Sequence, residues 1–402
     1  MLISRRIIEI GNGCEMSSSE NRILTTHAGS LPRPEQLAEL LGHASRHEPV
    51  DAAALEQMIA ESTRRVIARQ LECGIDIGNN GEQSRESFFT YVQHRMSGFS
   101  GKSQRPLMSD LIRYPGYLAF MGRDVARMRV DLMHAPQATG EIRYTGLEAV
   151  KKECADFRRA LDEQKSHFVE PFMTAASPGI VAAAMLNAHY PSVREYVMAL
   201  GAAFKTEYET IVNSGFALQI DAPDLAMERH TSFAGKSIKE FLDFVDVVIA
   251  AINGAIAGLP KEKVRLHVCW GNYEGPHTDD VPLDEIIDHL YRVEVSALML
   301  SMANPRHEHE YHSIQRHRLP PGMKLIVGAI DSTTNYVEHP EVVAERIERA
   351  ARAVGDPRLV MAGTDCGFDT TAGFGLVADA IVWEKLRALS DGAAIATRHL
   401  FG

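Results

Sequence analysis

The chain has 402 residues, is 45% hydrophobic and 24% charged, and carries a formal net charge of -11. This is the composition of an ordinary globular protein with a core large enough to need no disulfide support, and its acidic balance argues against nucleic acid and anionic membrane surfaces as partners. The five cysteines (Cys14, Cys73, Cys154, Cys269 and Cys366) are odd in number and widely spaced, which argues against a secreted disulfide framework and for reduced thiols in a cytoplasm.

The N-terminal stretch MLISRRIIEIGNGCEMSSSENR has no long apolar segment and no small-residue cleavage site, so it does not read as a signal peptide. Residues 1–21 read as a flexible extension and 22–402 as one catalytic domain. No apolar run is long enough to cross a membrane. The first β-type run is ILTTHAGSL (23–31), followed by RPEQLAELL, ordinary solvated helix material, and a helical pattern over 51–73. The second run is GIDIGNNGE (74–82). Residues 98–165 exceed what one loop needs. They read as an inserted hairpin/helical segment after the second strand, with RYPGYLAFMG and VARMRVDLMHAPQATGEIRY as its hairpin material.

From there strand and helix patterns alternate. The runs SHFVEPFMTAAS (166–177), FALQIDAP (216–223) and VRLHVCWGN (264–272) are followed by helical patterns over 191–214, 236–257 and 282–292. ALMLSMANP (297–305), MKLIVGAID (323–331) and LVMAGTDCG (359–367) complete the set, with a helix predicted over 340–354 between a proline start and Gly355 as its stop. Strands alternating with helices imply parallel pairing. Eight such units predict a closed (β/α)8 TIM barrel rather than an open doubly wound sheet.

In such a barrel the C-terminal strand ends build the active site. Here those ends carry His27 and Ser30, Glu82, Thr174 and Ser177, Asp221, His267 and Cys269, Ser301 and Asn304, Asp331, and Asp365 with Cys366. Residues two apart on a strand face the same side, so His267 and Cys269 can grip one ion. Closing the barrel would bring Cys366 to them. Each of the three alone reads more simply as a satisfied core side chain; together they are a zinc-type ligand set with one position left for substrate. Two thiolates suit such a zinc to holding a substrate thiol for alkyl transfer, with activated-water hydrolysis as the rival use. Arg306, in NPRHEHEY, reads either as an anion-binding group at the mouth or as part of a charged loop pinned by ion pairs. Trp270 and Tyr273 are candidates for a pocket wall or for packing. Cys73 and Cys154 fall in helical patterns and read as structural.

These motifs resemble the catalytic barrel of cobalamin-independent methionine synthase, and more closely its short single-barrel relatives, which include epoxyalkane:coenzyme M transferase. The resemblance runs from about residue 22 to the end, through TTHAGSLPRP, GEQSRESFFTYV, QIDAP and the His267, Cys269 and Cys366 positions. It implies that Gly29 and Ser30 contact a substrate carboxylate. It also implies that Glu82 and Asp221 bind an amino group, and that zinc is held by His267, Cys269 and Cys366. Two positions depart from the family. Ser301 stands where a zinc-binding glutamate is usual, which leaves a three-ligand site. Asp331 and Ser332 stand where a proton-moving histidine is usual, which makes Asp331 the candidate for that role. The resemblance is to a single barrel, and residues 1–21 do not read as the long N-terminal barrel of full methionine synthase. The implied activity is zinc-dependent transfer of a methyl or other alkyl group to a small thiol from an alkyl donor. The alternatives are thiol addition to an epoxide and a non-catalytic zinc- or substrate-binding barrel; decarboxylation is a further reading. A homo-oligomer is compatible with the sequence.

Overall fold

The computed structural model describes residues 19–125 and 129–402. Most of the N-terminal extension, with Cys14, lies outside the described residues. The strands are β1 (Ile77–Gly78), β2 (Met96–Ser100), β3 (Gln137–Tyr144), β4 (Glu170–Ala176), β5 (Ala217–Asp221), β6 (Val264–Val268), β7 (Ala297–Leu300), β8 (Lys324–Ile330) and β9 (Val360–Thr364). Seven of them form one sheet in the order β1-β4-β5-β6-β7-β8-β9, and every pairing is parallel. The first predicted run closes the ring. Thr25 bridges Ala362 of β9 in parallel, the Thr26 amide donates to the Ala362 carbonyl (2.8 Å), and the Ile77 amide of β1 donates to the Thr25 carbonyl (2.9 Å). The eight-unit barrel is therefore complete, with residues 24–26 as its least regular strand.

Alternation along each strand sorts side chains into two cores. Leu218, Ile220, Leu266, Val268, Leu298, Leu300, Leu325 and Val327 pack outward under the helices. Leu24, Ile77, Phe172, Ala217, Ala297, Met299, Ile326 and Met361 fill the barrel interior as a separate apolar layer. Above that layer the same inward face turns polar. The Arg265 guanidinium lies 3.8 Å over the Phe172 ring and donates to the Gln219 Oε1 (2.9 Å) and the Thr26 Oγ1 (3.1 Å). Asp221, His267 and Ser301 continue this face at the C-terminal end, so strand register alone delivers the chemistry to one rim.

The outer helices lie where apolar spacing put them: Ala52–Glu72, Val193–Asn213, Ile238–Ile256, Leu283–Leu290 and Pro340–Val354. Ser237 and Glu240 form a capping box, and Gly355, at φ 87°, ends the helix that Pro340 begins. The C-terminal helix Asp379–Phe401 completes the layer. Among the described residues no helix is long and apolar enough to cross a membrane.

The insertion after β1 corrects one expectation. RYPGYLAFMG is helical (Ser109–Arg113 and Pro115–Val125), not hairpin. Pro115 takes the first helical position, where its fixed φ is pre-set, and Leu118, Ala119 and Met121 are good helix formers. The antiparallel pair in this region is β2 with β3. A further helix, Leu147–Asp162, presents Val150, Cys154, Phe157 and Leu161 inward at helical spacing. Cys154 and Cys73 are both buried among apolar groups and serve packing. Buried charges anchor the insertion to the barrel. Glu153 pairs with Arg85 (3.0 Å) and Arg95 (2.5 Å), while Glu207 pairs with Arg95 (3.1 Å) and accepts from Tyr91 (2.6 Å) and Tyr144 (2.7 Å).

Candidate metal centre

His267 lies near the end of β6, Cys269 just beyond that strand and Cys366 two residues past β9. Their ligand atoms lie within 4.8 Å of one another, and all three residues are buried. The β5/β6 register sets Asp221 opposite His267, and His267 Nδ1 lies 3.0 Å from Asp221 Oδ1. Asp221 is itself oriented by Gln219, whose Nε2 donates to the same oxygen at 2.7 Å. The second imidazole nitrogen, Nε2, faces the Asp365 carbonyl at 3.1 Å. Both ring nitrogens thus face oxygen acceptors, an arrangement that calls for positive charge in the ring or for a cation beside it. Burial opposes a charged ring here, yet the Asp221 hydrogen bond and the neighbouring Cys269 raise the His267 pKa to about 9. The hydrogen bond from Cys366, against burial and with His267 nearby, lowers Cys269 to about 7, while Cys366 is pushed up as the thiol of the pair. One imidazole backed by a carboxylate and two sulfurs fit zinc in donor type, spacing and outer support.

The turn at Gly29 and Ser30 is wedged between this cluster and Glu82. A Cβ on Gly29, whose φ is 133°, would stand 2.7 Å from Glu82 Oε1, and a Cβ on Gly367 would stand 2.0 Å from Ser30 Oγ. Glycine at both positions permits this approach. Glu82 sits in left-handed backbone at φ 56°. Its Oε1 accepts from Thr174 Oγ1 at 2.8 Å, and its Oε2 is buried without a hydrogen-bond partner. Burial, and then the Asp221 carboxylate, push its pKa up to about 7 against the pull of Arg85 and Arg33. A carboxyl raised above its ordinary value favours the folded state when protonated. Its contribution is full below the ordinary value of 4.5 and is lost as pH rises through about 7. The Glu82→Gln variant, neutral throughout, should therefore gain stability relative to the parent as pH rises from 5 to 7.5, measured as the pH dependence of Tm. A difference that stays constant with pH would contradict this.

A cavity of about 340 Å³ opens over the cluster, with Cys366, Ser301, Arg306, Asp331 and Trp270 among its lining residues. The Asp331 carboxylate accepts from the Thr333 amide and hydroxyl (both 2.8 Å) and from the Thr334 hydroxyl (3.0 Å), so it also shapes its own loop. Arg306 is exposed at the cavity wall and forms no ion pair among the described residues. The Ser301 hydroxyl donates to the Asp365 carbonyl at 2.9 Å. Trp270 and Tyr273 line the cavity but are buried, each with a polar partner: Trp270 donates to the Val281 carbonyl and Tyr273 to Asp110.

Two features were not legible in the sequence. Asp365, next to Cys366, is not a ligand of the cluster. Its carboxylate accepts from the amides of Met302 (2.8 Å), Ala303 (2.9 Å) and Asn304 (2.9 Å) and clamps the loop after β7. His307 and Glu308, in the loop after β7, stand apart from the His267, Cys269 and Cys366 cluster. Glu308 faces Arg346 and Arg349, both at 3.9 Å, and His307 groups with His277 and Asp280. Its only local trace is a His and an Asp three apart in GPHTDD; His307 joins them from a loop 27 residues beyond Asp280.

A family profile described as "Cobalamin-independent synthase, Catalytic domain" matches residues 169–380. A protein named methionine synthase from Sulfolobus acidocaldarius is 24% identical over 388 residues, covering 96% of this chain and 95% of its own length. A protein named 2-hydroxypropyl-CoM lyase from Xanthobacter autotrophicus is 24% identical over 409 residues, covering 94% of this chain and 96% of its own. Among solved structures, a B12-independent methionine synthase from Shewanella sp. W3-18-1, in complex with selenomethionine, aligns with a TM-score of 0.69 at 22% identity. That alignment covers 94% of this chain and 99% of the other.

Proposed function

Because the chain belongs to the family of cobalamin-independent synthase catalytic domains, we propose that it is a zinc-dependent enzyme that transfers a methyl or other alkyl group to the sulfur of a small thiol. The observation that carries this reading is the buried cluster of His267, Cys269 and Cys366 with the Asp221 carboxylate behind its imidazole. Zinc held by these residues would supply the Lewis acidity that keeps a substrate thiol deprotonated at neutral pH. Asp221 fixes the His267 ring, and with Glu82 forms an acidic pair suited to an ammonium group of the thiol. The Gly29 backbone beside Glu82 and the Ser30 hydroxyl beside Gly367 take its carboxylate. Asp331, on the cavity wall, accepts or returns a proton at its carboxylate. Relatives named methionine synthase support this reading.

A second reading, addition of a thiol to an epoxide, draws on Arg306. Its exposed guanidinium at the cavity wall suits the anionic end of a thiol that lacks an amino group, and a relative is named for a coenzyme M thioether. Cobalt substitution with thiol titration tests both. Homocysteine or coenzyme M should intensify the sulfur-to-cobalt charge-transfer absorption. A response to homocysteine that Glu82→Gln abolishes supports the first reading; one to coenzyme M that Arg306→Ala abolishes supports the second. A spectrum unaltered by either thiol would overturn both. Asp221→Asn, which removes the carboxylate behind the imidazole, should weaken metal binding roughly 10–100-fold in a chelator competition; unchanged affinity would contradict the role assigned to Asp221.

A further inference from the structure

A second cluster on the same cavity repeats the signature of the first. His277 donates from Nε2 to the Tyr273 carbonyl (3.0 Å), which leaves its Nδ1 2.8 Å from Asp280 Oδ2. A carbonyl only accepts, so the tautomer is fixed, and Nδ1 turns a lone pair toward a carboxylate oxygen unless the ring holds a second proton or an ion lies between. His307 Nε2 approaches that same oxygen at 2.8 Å. His230, 1% exposed, sits on the other side with Nδ1 2.8 Å from Asp280 Oδ1. That approach is off the hydrogen-bond axis: both ring nitrogens of His230, and Asp280 Oδ1, are buried without a hydrogen-bond partner. Three imidazoles thus converge on one carboxylate whose side chain is only 2% exposed.

The rings are held in place for this. His307 stacks on Trp270 with centroids 3.9 Å apart, and His277 stacks on Tyr273 at 4.1 Å. His277 is in left-handed backbone at φ 52°, a conformation that its surroundings must maintain. Donation of the distal ring N–H to a backbone carbonyl, as His277 does, is the usual outer support of a metal-binding histidine. The spacing fits as well. Two ligand atoms each about 2.05 Å from an ion and set at right angles lie about 2.9 Å apart, close to the 2.8 Å between each imidazole nitrogen and Asp280 Oδ2.

We propose that His277, Asp280 and His307 form a second divalent-cation site, with His277 and His307 on the wall of the cavity that also contains Cys366. Two histidines and a carboxylate are a donor set for a first-row divalent ion with nitrogen and oxygen preference. The remaining positions, toward the cavity, would take oxygen atoms of an anionic substrate group. The inference stands independently of the thiol chemistry assigned to the first cluster.

The test is titration of the metal-stripped full chain with Co²⁺ alone, reading stoichiometry and absorption. The parent should bind two equivalents, of which one gives sulfur-to-cobalt charge transfer. The Cys269→Ser, Cys366→Ser double variant should keep one equivalent without that band. His277→Ala combined with Asp280→Asn should lose one equivalent and keep the band. A parent whose only equivalent gives the sulfur-to-cobalt band, or a His277→Ala, Asp280→Asn variant that binds as many equivalents as the parent, would overturn the proposal. If circular dichroism shows that this variant does not fold, the parent and the cysteine variant decide the matter by themselves.

Discussion

Replacing Cys366 with alanine is expected to remove zinc and abolish alkyl transfer while leaving the barrel folded. Loss of an outer partner such as Asp221 weakens a metal site roughly 10–100-fold, and loss of a direct ligand from a set of three should exceed the upper end of that range. The cysteine lies beyond the end of β9, where the backbone is already committed by pairing with β8 and with residues 24–26. The side chain contributes little to the apolar core, so its removal should lower Tm by no more than a few degrees. Metal content after dialysis, turnover with candidate thiols and thermal unfolding form one experiment. A Cys366→Ala chain that keeps zinc and turnover would remove the cluster from the mechanism altogether.

Changing Glu153 to alanine should have the largest effect on stability. It leaves Arg85 and Arg95, both buried, without the carboxylate that lies between them. Removing one partner of a buried ion pair costs about 3–5 kcal/mol, because the remaining charge is stranded away from water. By contrast, removing the exposed Lys239–Asp243 pair should cost about 0–1 kcal/mol. Denaturant unfolding of Glu153→Ala and Asp243→Ala side by side would show the difference, and equal midpoints would refute it. The Glu153 effect should also reach the site. Arg85 donates to the Thr174 carbonyl and hydroxyl, and Thr174 in turn donates to Glu82.

The barrel was legible because each strand is a short apolar run closed by polar residues, and because helices between parallel strands leave few alternatives. His267 and Cys269 were legible because strand alternation puts both on one face, and Cys366 because a strand end is where that architecture exposes side chains. What stayed hidden depended on contacts between distant segments. Nothing local distinguishes the helix at Pro115 from a turn that begins with proline. Asp365 could as well have been a ligand as a loop clamp; only the amides of Met302, Ala303 and Asn304 decide it. Asp280 draws its importance from His230 and His307, which belong to other loops.

The ring closes through residues 24–26 lying against β9, so the first strand position pairs with one formed nearly the whole chain later. During synthesis the N-terminal segment must wait, unpaired on that side, until the ribosome has released the far end. Cys366 emerges only with that end. A nascent chain can therefore present His267 and Cys269 but not the full ligand set. The metal capture proposed for this centre would consequently be a late event that reports completion of the fold, and chains interrupted before β9 should be open-edged and lack the third proposed ligand.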